Sequence, residues 1–165
     1  MKGLIFLIST LCLFTGCQES LFQSLKKTDD LYVYEGLPHP GRENPSFEKE
    51  RKREDVRQIE GHWFYEPKVK ASGEIRDRLM NLLFDEHGFS VPDPNVPPKD
   101  CGPFHPDHAI MWKSDGSEYF LMICYTCREA KLIRESGRLT DYEVYEIDSW
   151  QELLATFQLR RPQKQ

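Results

Sequence analysis

A chain of 165 residues with 39% apolar and 12% aromatic residues is large and apolar enough to bury one domain core, which argues against a disordered polypeptide. Its net charge of −5 offers no basic field to nucleic acid. The densest charged stretch, EKERKRED at residues 48–55, mixes both signs as a solvated face does.

Lys2 precedes an apolar run at residues 4–14, followed by Thr15, Gly16 and Cys17. The run is too short to span a bilayer and has the layout of a secretory signal. Small residues directly before a cysteine resemble the bacterial lipoprotein signal, although Phe14 stands where leucine is usual. The expectation is therefore a signal peptide at 1–16, a lipidated (palmitate-bearing) Cys17 and a tether at 17–30, with one domain at 31–159 and a tail at 160–165. Acyl chains on Cys17 would anchor the protein without a spanning helix. Gln18 rather than Asp follows the cysteine, which by analogy with lipoprotein sorting points to the outer membrane and a periplasm-facing domain.

In chain order, residues 31–35 read as a strand closed by Gly36 and two prolines. Asn44 and Pro45 read as the start of a helix that reaches Gly61, with few apolar residues and so a surface position. Residues 62–71 suit a strand broken at Pro67. Ser72 caps a helix whose Ile75, Leu79, Leu82 and Leu83 form one stripe. A proline-rich loop at 91–100 delivers the chain to Cys101. Asp115-Gly116 between two apolar runs is the signature of a type I′ hairpin over 108–124, whose second strand is apolar on both faces and so central. Residues 128–137 alternate as a strand would, and 142–147 form another strand after Ser136-Gly137. Asp148 and Gln151 make a capping box for a last helix carrying Trp150, Leu153, Leu154 and Phe157. The fold class is α+β: an antiparallel sheet of about four to five strands with two to three packed helices.

Besides Cys12 in the signal and Cys17 at its end, the cysteines are Cys101, Cys124 and Cys127, in a compartment that favours disulfides. Continuing the hairpin register places Asp107 opposite Cys124 and His105 opposite Thr126, which gathers Cys101, His105, Cys124 and Cys127 at one corner. Pro106 is the weak point, because it cannot donate to the ladder. Three cysteines and a histidine are a recognised zinc set. A disulfide from Cys101 to Cys124 or Cys127 is the competing arrangement, and a redox pair in Cys124-x-x-Cys127 is a third. Arg128 stands where c-type haem attachment needs histidine, which excludes haem. Asp107 and Glu129 are placed to orient ligands, while His39 and His108 could line a pocket nearby. No nucleophile-elbow, zinc-protease or phosphate-loop motif is present, so no catalytic residue is assigned.

Glu35 to His39 (EGLPH), Phe64-Tyr65, Cys101 to Asp107 (CGPFHPD) and Cys124 to Cys127 (CYTC) together resemble a family of predicted bacterial lipoproteins over residues 31–157. The resemblance implies envelope placement and brings no activity with it. The functional expectation is a lipid-anchored, non-catalytic binding or structural domain, stabilised by metal or a disulfide, with the membrane and an envelope protein as partners. The alternative is a periplasmic metal-handling or thiol-redox protein acting through the same four residues.

Overall fold

The computed structural model describes residues 24–26, 28, 30–40, 46–97, 99 and 102–161. The signal, Cys17, Cys101, the helix start at Asn44-Pro45 and the end of the tail lie outside them. Residues 24–26 are helical (α1). The elements that follow are β1 (Leu31–Glu35), α2 (Ser46–Glu50), β2 (Val56–Ile59), β3 (His62–Tyr65), β4 (Val69–Ala71), α3 (Gly73–Leu83) and β5 (Phe89–Ser90). Then come β6 (His108–Ser114), β7 (Ser117–Cys124), β8 (Glu129–Arg134), β9 (Gly137–Val144) and α4 (Ile147–Ala155).

The protein is α+β, with a larger sheet than its sequence suggests. Seven antiparallel strands run in the order β4-β1-β6-β7-β8-β9-β5, and β2 and β3 form a separate pair. At the centre is the expected hairpin. Asp115 (φ 49°) and Gly116 (φ 79°) both take the left-handed conformation of a type I′ turn, and Ser114 pairs with Ser117. Pairing continues to His108 opposite Ile123. Trp112 stacks on its cross-strand partner Tyr119, with centroids 5.6 Å apart and planes 9° from parallel.

Alternation along these strands divides the sheet into two faces. Leu31, Val33, Ile110, Trp112, Leu121, Ile123 and Leu132 point to one face, where Leu79 and Leu83 of α3 and Trp150, Leu153 and Leu154 of α4 cover them. Tyr34, Ala109, Met111, Phe120, Met122 and Ile133 point to the other, where Ile59 and Phe64 of the β2–β3 hairpin cover them.

Several sequence expectations change here. The helix expected over 44–61 is described only at Ser46–Glu50; Glu60 and Gly61 (φ 46° and 83°) instead form a hairpin turn between β2 and β3. The stretch from Val56 to Ile59 lacks a helical apolar stripe, and pairing with β3 lets it close the second face. The strand expected at 142–147 begins at Gly137, with a bulge where Leu132 and Ile133 meet Thr140 and Arg138. Helix α4 starts one residue before Asp148, so that carboxylate sits in the first turn and favours the helix dipole rather than closing a capping box. Ser72 is the N-cap of α3 but makes no side-chain cap bond. Part of the expected tether is built into the core: Leu25 is fully buried, and Trp112 Nε1 donates to Ser24 Oγ at 3.2 Å.

Candidate functional site

The segments that carry EGLPH and the FHPD part of CGPFHPD meet at one end of the sheet, beyond the paired ends of β1, β6 and β7. The meeting begins with backbone. Gly36 N donates to Asp107 O at 2.7 Å, and Asp107 N donates to Ile123 O at 2.8 Å. A side chain at Gly36 would run into the carbonyl oxygens of Pro106 and Asp107, so close approach requires glycine there.

The C-terminal segment then locks the junction. The buried Glu35 carboxylate accepts three backbone N–H groups, from Leu159 (2.9 Å), Arg160 (2.8 Å) and Arg161 (2.7 Å). The Arg161 guanidinium donates to the carbonyls of Gly36 (2.8 Å) and Leu37 (3.3 Å) and to the Asp107 carboxylate (3.1 Å). Asp107 uses its other oxygen to accept from Tyr125 N at 2.9 Å. The segment assigned to a tail from residue 160 is thus tied to β1 and to the Asp107 turn through Arg161.

A cleft of about 440 Å³ opens beside this lock, lined by Asp107, Tyr125, Thr126, Gln151, Ala155, Gln158 and Arg161. Behind it, Tyr125 Oη and His108 Nδ1 share a hydrogen bond of 2.8 Å. Burial drives the two groups apart: it lowers the His108 pKa to about 3, with Arg161 adding to the effect, and pushes the Tyr125 hydroxyl well above its ordinary range. Both are neutral at pH 7, and neither is poised to exchange a proton there. His108 Nε2 is buried without a hydrogen-bond partner.

His105 does not follow the extrapolated hairpin register toward Thr126. The ladder's last pair is His108 with Ile123; two residues before His108 stands Pro106, which cannot donate to the ladder, and His105 Nε2 shares a 2.8 Å hydrogen bond with Leu37 O. Its ring lies against His39, with centroids 4.9 Å apart. His39 therefore neighbours His105, and His108 neighbours Tyr125, so these two histidines join different surroundings. Burial holds His105 below its ordinary pKa, partly opposed by the bond to Leu37.

Cys124 ends β7 on the hairpin-covered face, and Cys127 lies in the turn to β8; both are buried. Glu129 pairs with Cys124 across the strands and lines a second cavity of about 360 Å³ with Lys131, Asp141 and the 92–96 loop. Beyond that loop, Lys99 Nζ reaches Cys127 O at 3.1 Å, and Phe104 packs under Lys131 Nζ, 4.1 Å from the ring centroid. The described residues between β5 and β6 thus act as a strap that meets the β7–β8 turn through Lys99 and β8 through Phe104. His62 stands against Phe104, and burial, aided by Lys131 and His105, lowers its pKa to about 4. Among the described residues, no group of three or more His, Cys, Asp or Glu is disposed to share a metal ion.

Arg161, Tyr125, Lys131 and His62 carry much of this geometry, and sequence reasoning singled out none of them. An isolated arginine or tyrosine has no motif; Lys131 alone had a signal, as a lysine within the alternating strand read at 128–137. Among the described residues no helix is long and apolar enough to cross a membrane. No family model, curated protein or solved structure matches the chain.

Proposed function

We propose that the protein is a lipid-anchored domain of the cell envelope that binds a segment of another envelope protein without catalysing a reaction. The observation that carries the binding reading is the cleft beside the Asp107–Arg161 pair. Its charges are matched within the protein, and Gln151, Gln158 and Thr126 present amide and hydroxyl groups at its wall. Such a surface suits the neutral amides of a peptide better than a phosphate or another strong anion. The Tyr125–His108 pair, neutral on both sides, supports a static wall rather than a proton relay.

Anchoring rests on the residues around Cys17. Ser24 and Leu25 already belong to the fold, so the seven residue steps from Cys17 to Ser24 could span at most about 25 Å. A lipid on Cys17 would hold the cleft close to the membrane, where another envelope component is at hand. The thiol corner, by metal or by a disulfide that includes Cys101, stabilises the strap against the sheet in this reading.

A photo-crosslinking residue placed at Gln158, on the rim of the cleft, tests the reading in cells. It should capture one discrete envelope protein, and Cys17→Ser should abolish both labelling by a fatty-acid probe and that capture. Capture of nothing above the level seen with the probe at an exposed site such as Glu74 would end the binding reading. Unchanged lipid labelling in Cys17→Ser would end the anchoring one.

A further inference from the structure

The second cavity has a lysine in its wall. Lys131 pairs across the sheet with Met122 of β7 and with Asp141 of β9, on the face that the β2–β3 hairpin covers. Its Nζ lies 4.1 Å from the Phe104 ring centroid. The residue also lines the space of about 360 Å³ between β8, β9 and the 92–96 loop, where Pro92, Pro94 and Val96 supply an apolar wall.

A lysine drawn out of water is ordinarily paired with a carboxylate. Asp141 lies directly across the strands but turns to Arg138, and its second oxygen, Oδ1, is buried without a hydrogen-bond partner. The neighbouring Glu143 is taken by Lys99. Among the described residues, Lys131 itself enters no ion pair. Burial, reinforced by Arg138, holds Lys131 below its ordinary pKa, against opposition from Glu129 and the thiols of Cys124 and Cys127. A desolvated lysine beside a second cation keeps more of its amine neutral, and the neutral amine is a nucleophile.

We propose that Lys131 is a carbonyl-capturing amine: the cavity admits a small uncharged aldehyde, and Lys131 holds it as an imine. The walls select the class of ligand. The prolines and Val96 accept an apolar body, while Asp93, Glu129 and Asp141 repel a carboxylate or phosphate. The nitrogen lone pair adds to the carbonyl carbon as the C=O π pair moves to oxygen. One proton passes from nitrogen to that oxygen, and the carbinolamine then loses its hydroxyl together with the last N–H proton as water, leaving C=N. Glu129 and Asp141 are the cavity groups that can carry the proton. No oxidant or reductant is consumed. The inference concerns a different part of the molecule from the peptide cleft and does not rest on it.

The test incubates the full-length protein in detergent with benzaldehyde and sodium cyanoborohydride, which fixes an imine as a secondary amine, and maps the labelled lysines by mass spectrometry. At pH 7, Lys131 should be labelled about tenfold faster than the exposed Lys52. That advantage should shrink toward about pH 10, where exposed lysines lose their protons. Formylbenzoate, the same ring with a carboxylate, should show no preference for Lys131. Unfolding in urea should erase the benzaldehyde preference, a readout that needs no variant. Equal rates at Lys131 and Lys52 in the folded protein, no label at Lys131, or a preference that survives urea would overturn the proposal and leave Lys131 as a cation packed on Phe104. A preference for Lys131 shared by formylbenzoate would overturn the assignment to uncharged aldehydes. Crosslinking at Gln158 would stand unaffected by any of these results.

Discussion

The two faces of the seven-stranded sheet are covered by different means, and their chemistry differs accordingly. On one face, α3 and α4 press a continuous set of large side chains onto the strands: Leu79, Leu83, Trp150, Leu153 and Leu154 are almost completely buried against Ile110, Trp112 and Leu121. On the other, a two-stranded hairpin covers a smaller cluster around Phe64, Met111 and Met122, and the strap must finish the job. Where the hairpin stops, the lining changes to His62, His105, Lys131 and the two thiols, all partly or wholly withdrawn from water. A helix pair supplies enough apolar area to close a face outright. A short hairpin does not, and ionisable groups occupy the remainder at some cost in burial.

The contrast can be broken most directly at the helix-covered face. Leu154→Ala should cost about 2–5 kcal/mol, the range for a leucine removed from a filled core. Denaturant unfolding measures it, and a loss under about 0.5 kcal/mol would mean that α4 is not what closes this face.

A smaller loss is expected where the C-terminal segment locks the junction. Arg161→Ala leaves the Asp107 carboxylate and the carbonyls of Gly36 and Leu37 short of a donor in a half-buried setting, so about 1–3 kcal/mol should be lost. Hydrogen exchange at Leu159 and Tyr125 should accelerate in the same variant. Unaltered exchange there would show that Glu35 alone holds the segment.

The smallest effect sharpens the comparison from the hairpin side, through pH. His62 and His108 have folded-state pKa values lowered to about 4 and about 3, from an ordinary 6.5. Below pH 6.5 the unfolded chain therefore takes up protons that the folded one refuses, and stability falls with pH from there toward pH 4 and pH 3. His62→Gln should flatten the upper part of that fall, between pH 6.5 and 4, and leave stability at pH 8 close to that of the wild type. Parallel pH profiles for the two proteins would place His62 in water rather than against Phe104.

How much of this was legible depended on range. The β6–β7 hairpin could be read to the residue, because Asp115-Gly116 dictates the turn and the turn dictates the register as far as His108 and Ile123. One step beyond, the ladder gives way at Pro106, and His105 Nε2 bonds with Leu37 O rather than lying opposite Thr126. The stretch at 44–61 misled for a related reason. Gly61 can end a helix or turn a hairpin, and the choice fell to the uncovered face formed by Tyr34, Met111 and Phe120, which are distant in sequence. Nothing local marked Arg161, whose partners Glu35 and Gly36 lie 126 and 125 residues away along the chain.

The sequence by itself determined the α+β class, the central hairpin and its register, and the apolar stripes of α3 and α4. Each of these follows from interactions between residues a few positions apart, where turn conformation and side-chain periodicity act directly. Only the tertiary structure decided that β2 and β3 close the second face, that residues 159–161 are locked to Glu35 and Gly36, and that His105 bonds with Leu37. Those outcomes depend on which buried donors, acceptors and apolar surfaces remain unmatched after the strands have paired, and that remainder exists only in the assembled fold.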